Sequence, residues 1–286
     1  MIAFFGMGLL GSNFVRKLLE RGEEVHVWNR TASKARALES AGAKAFDDPE
    51  AAARGASRIH LTLPDDAAVD DVLERAWRGM GEGVVLVDHS TTLPLGALAR
   101  VERWRERGIQ FQHAPVFMGP QNARDATGTM LASGDRATFA ALEPALAKMT
   151  GAVLYLGPEP ERAAVCKLIG NMFLMFVTSG LADVLAFATA EGVPPDTLQT
   201  LLRSFNPASQ VSGRLQRMVD GNFSEPSWEL VMARKDARLM LEESERLRTP
   251  LSVLPAIATL MDQWIARGHA KDDWMVIARD AMKRSP

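Results

Sequence analysis

Three groups of residues in this chain are of types and spacings that could do chemistry. The first is Gly6-Met7-Gly8-Leu9-Leu10-Gly11, directly after the apolar run Ile2-Ala3-Phe4-Phe5. Read as strand, tight turn and helix, it suits an anionic ligand. Gly6 can adopt the turn's dihedrals, Gly8 has no Cβ to block a pyrophosphate, and Gly11 lets helix and strand pack closely. The helix then offers free N–H groups and its positive dipole end to the anion. The second is Asn29-Arg30-Thr31 with Lys34, at the end of the next β-type run, Glu24-Val25-His26-Val27-Trp28. About 20 residues beyond the glycines, an acidic residue would hold the ribose diol of NAD. None is present. A guanidinium, a hydroxyl, an amide and an ammonium suit the 2′-phosphate of NADP(H) instead. A solvated polar turn is the plain alternative.

The third group is Lys167 with Asn171 at i+4, near the start of a long apolar segment. An ammonium on so apolar a helix is costly to desolvate, and burial lowers its pKa toward values useful for proton transfer. The alternative is a lysine whose head reaches water from a helix end. Lys235 repeats the anomaly, sharing a helical face with Val231, Met232 and Leu239. An anionic ligand or Asp236 could compensate it. Cys166 reads as a small buried filler, and His26, His60, His89, His113 and His269 show no metal-ligand spacing. No metal site is expected.

The elements needed to position these groups are legible. Through the first half, strand-like runs alternate with helical ones. A helix around Ser33–Ser40 is followed by strands at Ala43–Phe46, Ser57–Leu63, Val84–Val87, Gln110–His113, Thr129–Ala132 and Ala152–Leu156. Such alternation predicts an α/β domain with a doubly wound, mainly parallel sheet covered on both faces. Ligands then gather beyond the carboxyl ends of the strands. Three such ends carry suggestive residues: Leu63-Pro64 could wall the cofactor, Ser90-Thr91 could hydrogen-bond its nicotinamide end, and Ala114-Pro115-Val116-Phe117-Met118-Gly119 could line a substrate pocket through Val116 to Gly119. Ser90 and Thr91 could equally cap a helix.

After Gly157-Pro158-Glu159-Pro160 the strand pattern stops. Helical periods run over Glu161–Glu191, Pro195–Phe205, Gln210–Val219, Trp228–Arg246, Pro250–Arg267 and Asp272–Lys283. This predicts residues 1–158 as the nucleotide-binding domain and 159–286 as an all-α domain. Leu168–Ala190 contains one charged residue, Asp183, and is long enough to cross a bilayer. A helix apolar all round is also a buried core or subunit-interface helix, and with a nucleotide domain before it the buried helix is expected.

The 286 residues are 47% hydrophobic and 24% charged, with a net charge of −2. That is ordinary globular composition, without a basic field for nucleic acid or anionic membrane. One cysteine excludes an internal disulfide framework, and with a first strand starting at residue 2 no targeting peptide is expected. A reducing, cytoplasmic setting is expected.

Taken in order along nearly the whole chain, Gly6-x-Gly8-x-x-Gly11, Trp28-Asn29-Arg30-Thr31, Leu63-Pro64, Asp88-x-Ser90-Thr91, Ala114-Pro115-Val116, Lys167-x-x-x-Asn171 and Lys235-Asp236 resemble the β-hydroxyacid dehydrogenase family. The group includes 3-hydroxyisobutyrate dehydrogenase and glyoxylate/succinic semialdehyde reductase. The resemblance implies a Rossmann domain, a long interdomain helix and a helical domain that supports a homodimer. It also implies a catalytic lysine at Lys167 partnered by Asn171, a cofactor contact at Lys235, and Thr91 near the nicotinamide. Two stretches depart from the pattern. Phe117-Met118-Gly119 stands where the family usually has Ser-Gly-Gly or Ser-Gly-Ser to hold a substrate carboxylate. Pro158 to Ala164 replaces a glycine-rich stretch. The first departure points to a carbonyl compound larger or more apolar than a simple β-hydroxy acid. The related imine reductases share the architecture and favour NADPH, but commonly carry aspartate or tyrosine where Lys167 stands. An imine reductase and a catalytically silent dinucleotide-binding module are the two rival readings.

Overall fold

The structure, a computed structural model, describes residues 1–283 and divides into two compact units, Met1–Met172 and a second beginning at Phe173. The first unit opens with alternating strands and helices: β1 (Ile2–Phe5), α1 (Leu9–Glu20), β2 (Val25–Trp28), α2 (Ala32–Arg36), β3 (Lys44–Phe46), α3 (Pro49–Ala53), β4 (Arg58–Leu61), α4 (Asp66–Ala76), β5 (Val85–Asp88), α5 (Pro94–Glu106) and β6 (Gln110–His113). The six strands form one parallel sheet in the order β3-β2-β1-β4-β5-β6. Strand order reverses between β1 and β4, where doubly wound sheets open a crevice.

Strand periodicity explains the two cores. Ile2 and Phe4 of β1 point to one face, joining Phe14, Val15 and Leu18 of α1. Ala3 and Phe5 point to the other, joining Ile59, Leu61, Leu86 and Trp104. Burial on both faces is why these strands read as unbroken apolar runs.

Beyond β6 the chain makes β7 (Val116–Phe117), α6 (Pro120–Asp125), β8 (Thr129–Ala132), α7 (Arg136–Leu146) and β9 (Ala152–Tyr155). The later strands do not extend the main sheet. They form a second, three-stranded sheet in which β7 runs antiparallel to β8 and β8 parallel to β9. β7 is only two residues long and follows Pro115, which is why periodicity does not reveal it.

The helix α8 (Arg162–Ala190) is anchored at its start by the Ala163 N–H, which donates to Ser133 Oγ at 2.9 Å. It then passes into the second unit. Its large apolar side chains are mostly not buried in this chain: Met172, Phe173, Leu174, Met175 and Phe176 are all about half exposed or more. The expected buried core helix is therefore corrected. The helix meets the length and hydropathy of a membrane span, with mean hydropathy 1.7.

In the second unit, α9 (Pro195–Ser204), α10 (Val211–Asp220), α11 (Leu230–Arg246) and α12 (Leu254–Trp264) follow. Its core joins Leu230, Ala233 and Ala237 of α11 to Ala258, Met261 and Trp264 of α12, with Phe223, Met275 and Val276. The α12 helix starts four residues later than its pattern predicts. The Asp183 carboxylate of α8 accepts the N–H groups of Ser252, Val253 and Leu254 at 2.8 to 3.1 Å, capping the helix there. The expected helix over 272–283 is also corrected, to a 3-10 turn at Trp274–Ala278. Asp273 and Trp274 donate their N–H groups to Phe223 and Trp228, and the buried Asp273 carboxylate takes Ser227 and Arg217. These long-range bonds within the chain compete successfully with a helix ladder.

Candidate active site

The glycine turn is built as its spacing demands. Gly6 has φ +97°, and a Cβ there would run into the Thr62 carbonyl. A Cβ on Gly11 would run into the Gly6 carbonyl and the Thr62 hydroxyl, so α1 approaches β4 only because Gly11 is bare. Gly8 differs: no protein atom lies within 4 Å of its Cβ position. Packing does not require a glycine there, but close approach of a ligand would. The α1 N-terminus has no side-chain cap and no acid in its first turn. Its N–H groups thus stand ready for an anion.

This turn forms one end of a cleft of about 520 Å³ lined by Gly6, Gly8, Leu9, Leu10 and Gly11, by Asn29, Arg30, Thr31 and Lys34, and by Leu63, Pro64, Ser90 and Thr91. Asn29 has a positioning task. Its side-chain oxygen accepts the Met7 N–H at 2.8 Å and its amide donates to the Thr31 carbonyl at 3.0 Å, tying the glycine turn to the β2 corner. Arg30 and Lys34 are exposed beside it and make no ion pair among the described residues. The Met7 side chain is buried in the core with Phe4 and Phe14, and its backbone belongs to the turn.

The ends of β4 and β5 are held by a network. Ser90 Oγ accepts the Leu63 N–H at 2.9 Å, and Asp88 accepts the Ser90 N–H at 2.9 Å. Helix capping by Ser90 or Thr91 does not occur, because α5 starts at Pro94 with Leu93 as its cap. Beneath lies a chain of buried imidazoles. His89 Nδ1 lies 2.7 Å from the Ala114 carbonyl, which can only accept, so Nδ1 carries the proton. His89 Nε2 therefore accepts from His60 Nδ1 at 3.0 Å, and His60 Nε2 is left without a partner. Burial keeps this chain neutral, lowering His89 to about 4 and His60 well below the usual histidine value. The His89–Ala114 bond fastens β5 to the segment that leads into β7.

On α8, Lys167 Nζ donates to Asn171 Oδ1 at 2.9 Å. Lys167 is only 9% exposed. Burial alone holds its pKa below the ordinary lysine value. The reading of a head reaching freely into water is thus not what the structure shows. Phe117 lies over the ammonium, with its ring centroid 4.4 Å from Nζ. Val116 is buried, Met118 is half-buried against the first core, and Gly119 caps α6. Cys166 is half-buried.

Lys235 lies on α11 in the second unit and pairs with Asp236 at 2.7 Å. The expectation that its face is buried is corrected. Val231, Met232 and Leu239 are exposed, and α11 buries Leu230, Ala233 and Ala237 instead.

Several cleft residues were not singled out by sequence: Thr62, Ala68, Asp71, Val72, Arg75 and His89. Four of them follow Pro64 at i, i+3, i+4 and i+7 spacing, so one face of α4 forms a wall. A helix starting at the carboxyl end of β4 was the available signal.

The fold and cleft define a dinucleotide-binding protein of the doubly wound class. Residues 1–157 match the family model of the NAD binding domain of 6-phosphogluconate dehydrogenase, and 162–280 match that of the NAD-binding domain of NADP-dependent 3-hydroxyisobutyrate dehydrogenase. The chain belongs to this β-hydroxyacid dehydrogenase family of NAD(P)-dependent oxidoreductases. It is 27% identical to an uncharacterized oxidoreductase of Shewanella frigidimarina, over 99% of each chain. It is 23% identical to 2-(hydroxymethyl)glutarate dehydrogenase of Eubacterium barkeri, over 97% of this chain and 93% of that one. The solved imine reductase of Myxococcus stipitatus in complex with NADP+ shares the fold, with a TM-score of 0.90 at 22% identity, covering 98% of this chain and 99% of that one.

Proposed function

We propose that this protein is an NADPH-preferring reductase that passes hydride between the nicotinamide and a carbonyl carbon, on a substrate larger or more apolar than a simple β-hydroxy acid. The observation that carries the reading is the buried Lys167–Asn171 pair, 2.9 Å apart on α8. A dinucleotide fits the cleft. The uncapped α1 N-terminus and bare Gly8 suit the pyrophosphate, Arg30, Thr31 and Lys34 suit a 2′-phosphate, and Leu63, Pro64, Ser90 and Thr91 wall the remainder. The nicotinamide supplies the hydride when bound. Lys167 gives its proton to the substrate oxygen in reduction and takes it back in oxidation. Asn171 holds the ammonium in place, and a lowered lysine pKa suits both directions. Lys235 is carried in this reading as a further cofactor contact.

Phe117 and Met118 supply no hydroxyl for a substrate carboxylate, which supports an apolar substrate and gives imine reduction its standing as the second reading. The exposed apolar length of α8 supports a homodimer through the helical domain, since a patch of that extent marks an interface. A second copy suits it better than lipid, because mid-helix Asp183 is already fastened to the start of α12. The reading places the enzyme in a reducing, cytoplasmic setting, with residues 1–158 as the NADP-binding domain and 159–286 as the helical one.

The test is turnover of aldehydes, β-keto acids and cyclic imines with NADPH, for the native chain and for Lys167→Ala. Carbonyl turnover falling by about 10²- to 10⁴-fold in the variant supports the reading. Imine turnover that survives Lys167→Ala favours the imine reductase, and tight NADPH binding with no turnover favours the silent module. In the same assay, Arg30→Asp weakens NADPH far more than NADH; equal losses refute the phosphate role.

A further inference from the structure

Lys167 has an unusual environment for a buried cation. Its three ammonium donors have one hydrogen-bond acceptor, Asn171, and it forms no ion pair among the described residues. No charged neighbour shifts it, and burial is the only cause that lowers it. Burial by itself favours the neutral amine, and a hydrogen bond to an uncharged amide offsets this only in part.

The remaining side of the ammonium is covered by an aromatic ring. Phe117 places its centroid 4.4 Å from Nζ, well inside the range over which a ring's negative face attracts a cation. That position is prepared by the fold. Lys167, Gly170 and Asn171 stand at i, i+3 and i+4, one face of α8. The ring rests on Gly170, where a Cβ would run into it. On the other side, Phe117 pairs with Thr129 across β7 and β8. Gly128 there has φ +83°, and its Cβ position is already crowded by the Phe117 carbonyl at 2.8 Å and Met118 Cγ at 2.9 Å. Gly170 therefore leaves room for the ring itself, and Gly128 for the Phe117 backbone and the Met118 side chain that follow it.

We propose that Phe117 is a positioning residue whose ring, seated on Gly170, holds the Lys167 ammonium charged and beside Asn171. The attraction acts on the ammonium and vanishes for the neutral amine, so the ring opposes burial while also contributing to it. This deepens the reading of Lys167 as proton carrier, but the interaction can be measured without turnover.

The experiment is an NMR titration of the protein labelled with [ε-¹³C]lysine, with the Lys167 signal identified by its absence from Lys167→Arg. Phe117→Leu and Phe117→Met keep an apolar cover and remove the π face. Both should lower the titration midpoint by ~0.5 to 1 pH unit. Phe117→Tyr keeps the face and should titrate with the native protein. Thermal melts confirm that each variant folds, and two apolar replacements guard against the loss of one. Leucine and methionine variants that titrate with the native chain overturn the proposal, as does an equal shift in Phe117→Tyr. The alkaline limb of the kcat profile should move in the same direction. If Lys167→Ala leaves turnover intact, the proton-carrier reading fails while the NMR shift still decides the role of the ring.

Discussion

The two units close their cores in different ways. In the first, α1 buries Gly11, Phe14, Val15 and Leu18 against a sheet whose β1 and β2 residues are all buried. Helices cover both faces of the sheet, each with its own core. In the second unit, α9 and α10 bury no residue at all, and the part of α8 within it exposes Leu174 at 62% and Phe176 at 65%. One unit is completed by its own chain. The other presents an apolar helix that its own chain does not cover, so composition alone does not say what an apolar helix packs against.

Breaking the first unit gives the largest expected effect. Gly6→Val places a branched side chain at φ +97° against the Thr62 carbonyl and should cost several kcal/mol, enough to unfold the unit. Urea melts followed by circular dichroism measure this. Gly8→Ala is its counterpart: with open space at its Cβ position, it should melt like the native protein yet bind dinucleotide at least about tenfold more weakly. Equal damage from both variants would remove the distinction between packing glycine and ligand glycine.

Phe176→Glu probes the second unit. A charge on the exposed α8 face should shift a homodimer to monomer, read by analytical ultracentrifugation, with a dissociation constant at least ~10²-fold weaker. Dinucleotide binding by the monomer should survive, since the cleft is lined by the first unit. A native protein that is already monomeric would defeat the interface reading.

The smallest expected effect concerns acid. His60, His89 and His113 are buried with pKa values lowered by burial, His89 to about 4. The folded state therefore prefers the neutral rings. The stabilisation from His89 is present above the unfolded pKa near 6.5 and is lost as pH falls from there toward 4, and the lowered His60 and His113 act with the same sign. For His89 the slope over that interval should be on the order of 1 kcal/mol per pH unit. Denaturant midpoints should fall from pH 7 to pH 5, and a flat profile would show that the imidazoles titrate in the folded chain as they do in the unfolded one.

Much of the candidate site is legible in the chain itself. The glycine spacing, the Asn29-Arg30-Thr31 corner and the Lys167–Asn171 pair depend on local geometry: a turn, a strand end and one helical face. Sequence could not show that both ends of the Asn29 amide are engaged within the protein, because the Met7 N–H comes from another loop. Nor could it place Phe117 over Lys167. That requires β7, α8 and the bare Gly170 to meet, and β7 is too short for its period to be seen.

Local patterns along the chain set the order of elements and the chemical character of each strand end, since apolar periodicity and glycine spacing act over a few residues. Long-range packing settled which groups meet and which are left uncovered. It tied the 272–283 segment by hydrogen bonds to residues distant in sequence, split the strands into two sheets, and left α8 exposed where composition suggested a core. Those outcomes depend on partners distant in sequence, and no local period carries that information.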